Sequence, residues 1–219
     1  MTVDIRMLNE HVAGCAVAHQ RLLGSLDDLT DAECRAPSML PNWSRGHVLT
    51  HLARNADSHT HLLIAAGNED IADQYPGGIS ARNEAIENGS DRSAADLTGD
   101  VRKSIYSLEA QWAGATPTTW SGEGRNARGA VIVISELVFL RWREVEVHHA
   151  DLGREFGWQQ WSELYVRLEL DKQMMTWRSR KPMGLTDLPH GAMQLPPAHR
   201  LAWLLGRVDV EGLPKPDPI

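Results

Sequence analysis

Apolar residues recur at helical spacing along most of the first 150 positions. In segment 4–27 they fall at Ile5, Leu8, Val12, Cys15, Ala16, Leu22, Leu23 and Leu26, with His19 on the same face, which predicts an amphipathic helix. LDDLTDAEC follows, and Pro37, Pro41 and Asn42 break regular structure. Segment 44–67 is the clearest helix. Ser44 is a good N-cap, Val48, Leu49, Leu52, Ala53 and Ala56 form an apolar face, and Gly67-Asn68 stops it. Residues 68–93 are polar and punctuated by Pro76, Gly77, Gly78 and Gly89, a long crossover with room for a short helix at 80–88. Helical spacing returns in 93–113 through Leu97, Val101, Ile105, Leu108 and Trp112, and 114–128 reads as a second loop or short β excursion. Segment 130–150 begins with β-branched residues that suit a strand, but its length and its 133, 137, 140, 144 spacing predict a helix, with Gly153 as its C-cap.

Four such segments joined by long crossovers predict a mainly α fold built on a four-helix bundle. The last part differs: a helix at 159–178, a loop with at most two short strands, a short helix at 196–206 opened by Pro, and an extended tail. This places a boundary near 153–158, giving a bundle domain over 1–155 and a small α/β domain over 156–219.

Composition narrows the function classes. A chain of 219 residues, 42% apolar and 23% charged, is globular and long enough to bury a core. A net charge of −7 argues against a nucleic-acid partner, which needs a basic surface. The first residues lack the apolar stretch of a signal peptide, and the longest apolar run, Ala130 to Leu140, is interrupted by Ser135 and Glu136. The expectation is therefore a cytoplasmic protein with no membrane span. Cys15 and Cys34 are far apart, lack CxxC spacing and imply neither a disulfide framework nor a structural zinc site. Glycine-rich phosphate loops and a GxSxG elbow are absent. Ten histidines stand out against two Phe and three Tyr, and they matter only if they converge in space.

His47 and His51 lie at i, i+4, so their rings leave one helix from the same face. Such a pair can grip a divalent metal, or can be solvent-facing and core-edge histidines, the reading preferred for His59 and His61. Glu144 and His148 repeat the i, i+4 pattern, with Arg141 one turn before and Asp151 one turn beyond. That stripe is either a site or an Arg141–Glu144 surface ion pair. Taken together, one helix offers His51, with or without His47, and the other offers Glu144 and His148. A His₂Glu set leaves open positions on zinc, the catalytic pattern, and bundles build metal sites from facing helices in this way. Asp151 or His149 would orient the ligands.

Three motifs, LPNWSRGHVLTHLARNAD, GGISARNEAIENGS and RWREVEVHHADLG, closely resemble the mycothiol-dependent maleylpyruvate isomerase family of DinB-like metal-binding bundles, in order and spacing, over roughly residues 1–155. The resemblance implies zinc ligands at His51, Glu144 and His148, an N-terminal bundle and a small C-terminal α/β domain. It implies mycothiol as thiol cofactor and a small acidic or electrophilic substrate. It also implies an arginine near the C-terminus that binds the acidic substrate or the thiol; Arg207 is the nearest match, and Arg82 in the second motif matches better. The other reading of Arg82 is a surface arginine paired with Glu84 or Glu87. Only about twenty residues separate the helices at 159–178 and 196–206, fewer than in the family's pattern, so a shortened C-terminal part is expected.

The reaction implied is addition of mycothiol thiolate to a cis double bond, rotation, and loss of thiolate to give the trans product. The alternatives are a mycothiol S-transferase acting on another electrophile, and a non-catalytic metal-binding bundle. Nickel, cobalt or iron would also suit the ligands. Trp43 and Trp142 are expected in the core, with a pocket wall as the alternative. The chain is expected to be a monomer or a homodimer.

Overall fold

A computed structural model describes residues 3–180 and 186–216. The loop expected across 181–185, the first two residues of the N-terminal segment and the last three of the tail lie outside the described residues. The chain divides into two compact units, Met1–Glu155 and Phe156–Ile219.

In the first unit, α1 (Ile5–Gly24) begins where the Asp4 carboxylate accepts from the Met7 amide. A short α2 (Asp31–Arg35) carries a capping box between Thr30 and Glu33. Asn42, at φ 63°, then turns the chain into α3 (Arg45–Gly67). The Ser44 hydroxyl accepts from the His47 amide, and His47 Nδ1 accepts from the Ser44 amide at 3.2 Å. His47 thus takes the place that Glu or Gln fills in a capping box. The crossover holds α4 (Gly78–Gly89) and leads to α5 (Ala94–Gly114), opened by Ser93. A five-residue α6 (Pro117–Ser121) follows.

The segment read as one helix over 130–150 is not helical throughout. Val131–Val133 forms β2, paired antiparallel with β1 (Glu123–Arg125), Glu123 opposite Val133. A 3₁₀ turn at Ile134–Glu136 leads into α7, which starts only at Leu137 and ends at Asp151. Three consecutive β-branched side chains, stiff at χ1, favour the pleated pairing over a helical first turn.

Helices α1, α3, α5 and α7 make the bundle, with α7 packed on α1 and α3, and α5 closing the ring against both. Leu8, Leu22, Leu49, Leu52, Val101, Ile105, Leu108, Val138 and Val145 are buried between them. Gly14 is a contact point: a Cβ there would penetrate the Trp142 ring, so α1 and α7 pack this closely only with glycine. Trp142 is core, as expected, and donates to the buried Glu146 carboxylate at 3.2 Å.

The second unit contains a 3₁₀ turn at Trp158–Gln160, α8 (Glu163–Arg178), α9 (His190–Gln194) and α10 (Pro197–Leu204). α10 packs on α8, with Trp177 and Trp203 in contact at 5.2 Å, and Arg200 donates to the carbonyls of Ala192, Met193 and Leu195. The loop expected here, with at most two short strands, holds no strand among the described residues: 190–194 is helix, its end held by Arg200. Among the described residues no helix is long and apolar enough to cross a membrane.

Candidate metal centre

The centre forms where α3 faces α7, and a strap fixes the two helices end to end. Arg45, in the first turn of α3, donates to Leu152 O at 2.6 Å and Gly153 O at 3.1 Å just past α7, and to Glu33 O at 3.3 Å. The Met39 amide adds a bond to Asp151 O at 2.8 Å. These donors satisfy carbonyls that a helix end otherwise leaves unpaired. Gly153, at φ 63°, supplies the left-handed residue that ends α7 and lets Met39 pass.

One and a half turns into α3, His51 points at α7. Its Nε2 lies 2.7 Å from Glu144 Oε2, and His148 Nε2 lies 3.5 Å from the same oxygen. One ligand atom from each of His51, Glu144 and His148 falls within 4.8 Å of the others. The two rings meet edge to face at 4.6 Å, and Trp43 leans on His51 at 5.7 Å. Asp151 Oδ2 engages His148 Nδ1 at 2.8 Å, which leaves Nε2 facing the centre. Arg82 donates to His51 Nδ1 at 3.0 Å, so in this arrangement Nε2 carries the His51 proton.

The protonation pattern follows from these contacts. Burial pushes His51 down to about 4 against the pull of Glu144, so the ring is neutral at pH 7. Burial also opposes charge on His148, but the Asp151 and Glu144 carboxylates prevail and raise it to about 9. Burial would raise Glu144, yet its hydrogen bonds to His148 and His51 hold it well below the ordinary carboxylate range. A protonated His148 thus stands between two carboxylates. The donor set fits a borderline cation such as zinc: two imidazole nitrogens and a carboxylate oxygen, already converged, with the outer nitrogen of His148 held by an acid.

Residues 15–153 match the family model of the mycothiol maleylpyruvate isomerase N-terminal domain. The chain belongs to this family. Two solved structures share its fold over 97% of this chain and 97% of theirs: a histidine-to-alanine mutant of the mycothiol-dependent maleylpyruvate isomerase, 22% identical with a TM-score of 0.85, and the mycothiol-dependent maleylpyruvate isomerase itself, 23% identical with a TM-score of 0.84. No curated protein matches significantly. Equal coverage on both sides leaves no room for a large deletion, so the expected shortening of the C-terminal part is not met against these two chains.

Other histidines of this family member lie elsewhere. His47 caps its own helix and reaches Glu87 at 3.3 Å. His59 is buried, pushed down to about 3 by burial and by Arg141. His149 turns away to Ser25 Oγ at 2.7 Å, so Asp151 alone of that pair touches a ligand. The Arg141–Glu144 surface pair does not form: Arg141 is fully buried and donates to His19 Nε2 at 3.1 Å and to Leu52 O and Asn55 Oδ1 at 2.8 Å. His19 is in turn bound to Glu109 at 2.8 Å. Arg82 does not pair with Glu84 or Glu87 as its surface reading required; besides His51 it binds Asn83 Oδ1 at 2.8 Å. Arg207 lies in the second unit and donates to Leu205 O at 2.8 Å. Arg45 escaped notice because a single arginine in a helical first turn has no pattern. Glu109 sits on a helix otherwise read for its apolar face.

Proposed function

We propose that the chain is a metal- and mycothiol-dependent cis–trans isomerase of the maleylpyruvate type. The observation that supports this most is the convergence of His51, Glu144 and His148 within 4.8 Å, in a bundle of that family. His51 Nε2, a Glu144 oxygen and His148 Nε2 would hold zinc, with open positions left for a thiol. A metal held there would lower the pKa of a thiol from its ordinary value of about 8.5 and so supply thiolate at neutral pH. Asp151 keeps His148 aimed inward and receives the hydrogen bond of its outer nitrogen. Glu144 contributes the negative charge that favours a cation over a proton there.

Sulfur then adds to the cis carbon–carbon double bond of the substrate, and the electron pair moves to the conjugated carbonyl as an enolate. The former double bond rotates, the enolate re-forms it, and the thiolate leaves with the trans product. The thiol is returned unchanged. Arg82 is suited to a substrate carboxylate or the enolate, because its present partners, Asn83 and neutral His51, are uncharged. Arg207 keeps its expected role in acid binding on the family pattern alone.

The test has two parts. Wild-type protein is expected to retain about one zinc per chain, as one three-ligand site requires, and His51→Ala and Glu144→Gln to lose it. Metal-loaded protein with mycothiol is expected to convert maleylpyruvate to fumarylpyruvate without consuming thiol. Thiol consumption with adduct release would instead make it an S-transferase, and metal without thiol binding a non-catalytic bundle.

A further inference from the structure

One helical turn from the metal centre, α3 and α7 meet again through polar side chains. Asn55 follows His51 at i, i+4, and Arg141 precedes Glu144 by three residues, so each shares the stripe that carries the ligands of its helix. Arg141 Nη1 donates to Asn55 Oδ1 and to Leu52 O, both at 2.8 Å. The step from His51 on to Asn55 is about 6 Å along α3, and the step from Glu144 back to Arg141 is about 4.5 Å along α7. His51–Glu144 and Asn55–Arg141 are therefore two rungs of one antiparallel ladder, in a single register.

The second rung is braced from the other two helices. Arg141 Nε donates to His19 Nε2 on α1 at 3.1 Å, and His19 Nδ1 meets Glu109 on α5 at 2.8 Å. Burial pushes His19 down to about 4, so the ring is neutral at pH 7 and donates to Glu109 while accepting from Arg141. All four bundle helices thus converge on one fully buried guanidinium. Stability alone does not call for it, because well-packed apolar side chains often replace a buried charged network at no loss. What the network adds is direction. Apolar packing has none, and cores repacked with apolar residues lose their single arrangement before they lose stability. A metal site tolerates errors of only about 0.2 Å in ligand distance, far less than the rise of about 1.5 Å per residue. The Arg45 strap holds α3 to α7 on one side of the centre, and the Arg141 rung holds them on the other. With either clamp alone, the two helices can pivot about it.

We propose that Arg141 is a positioning residue for the metal centre: its bonds to Asn55 and Leu52, braced by His19 and Glu109, set the α3–α7 register in which His51 meets Glu144 and His148. It acts through the ligands rather than on the metal. The proposal rests on the reading of those three residues as a metal site, and adds what holds them in place.

Titration of the full chain with cobalt(II) and zinc tests it. Lost global stability does not change a Kd measured where the apoprotein is folded, so register and stability separate. Arg141→Met keeps the length of the side chain without its donors. It is expected to melt cooperatively, to bind both metals about tenfold or more weakly, and to alter the visible absorption of bound cobalt, which reports coordination geometry. Leu62→Ala truncates the core two turns beyond Asn55 on α3. It is expected to lower the melting temperature and to leave the cobalt spectrum unchanged and both Kd values within about twofold. A wild-type Kd and cobalt spectrum in Arg141→Met overturn the proposal. Equal weakening in Leu62→Ala also overturns it, because the effect then follows lost core packing rather than the rung. If Arg141→Met does not fold, Asn55→Ala, which removes only the side-chain acceptor, decides on the same two readouts, and no change in either overturns the proposal. Failure of the wild-type protein to bind cobalt or zinc brings down the metal reading itself, and is visible before any variant is made.

Discussion

His148 holds a proton that a metal ion at the proposed centre would have to displace, so metal uptake is expected to depend on pH. With Asp151 on one nitrogen and Glu144 on the other, the ring is raised to about 9 despite its burial. At pH 7, about two units lower, only about 1% of the rings carry the free electron pair a metal needs, a penalty of about 2.7 kcal/mol at 1.36 kcal/mol per unit. His51, at about 4, and Glu144, held lower than an ordinary carboxylate, are already deprotonated above pH 6 and add no slope. Zinc affinity of the apoprotein is therefore expected to rise about tenfold per pH unit from pH 6 to 8 and to level off above about pH 9. Competition against a chromophoric chelator of known pH dependence measures it. Asp151→Asn removes one of the carboxylates that raise His148, so its curve is expected to level off at lower pH. A flat wild-type profile, or release of two protons per metal, would refute the assignment of a single protonated ligand.

Stability of the apoprotein is expected to peak near pH 6.5. His19, His51, His59 and His149 are held at about 4, 4, 3 and 3, mainly by burial, so the unfolded chain binds protons that the native one refuses and stability falls as pH drops below about 6.5. His148, raised to about 9, contributes stability that is fully present below about 6.5 and is lost as pH rises through 9. Urea midpoints that change in one direction only from pH 4.5 to 9 would contradict this. Gly14→Ala is expected to cost about 1–3 kcal/mol by driving a methyl into the Trp142 ring, read as a lower urea midpoint with an unchanged m-value. Arg141→Ala strips hydrogen bonds from buried His19, Leu52 and Asn55 and is expected to cost about 3–5 kcal/mol; a loss below 1 kcal/mol would show that the network is dispensable. Arg82→Ala is expected to bind zinc at least as tightly as wild type, because Arg82 holds the His51 tautomer opposite to the one that ligation needs; weaker binding in chelator competition would reverse that reading.

The bundle was legible because its four long helices carry an apolar stripe. The candidate ligands were legible only in part: i, i+4 spacing put Glu144 and His148 on one face, but the same spacing paired His51 with His47, which caps its own helix instead, and the set of three came from the family motifs. What brings those faces together is not periodic. The Arg45 strap uses backbone carbonyls of Glu33, Leu152 and Gly153, and carbonyls leave no trace in residue type. Arg141 read equally well as a surface charge, because its burial depends on His19 and Asn55, contributed by two other helices. The helical reading of 130–150 failed at Val131–Val133, where pairing with the neighbouring strand Glu123–Arg125 outweighed the local period. The loop after residue 178 left room for at most two short strands, and among the described residues it holds the helix His190–Gln194 instead.

The three candidate ligands and the acid that aims His148 all belong to Met1–Glu155. In hereditary terms the centre is a cassette: one continuous stretch of sequence supplies the candidate donors and the hydrogen bonds described above that orient them. Substitutions confined to the remaining residues leave those donors as they are.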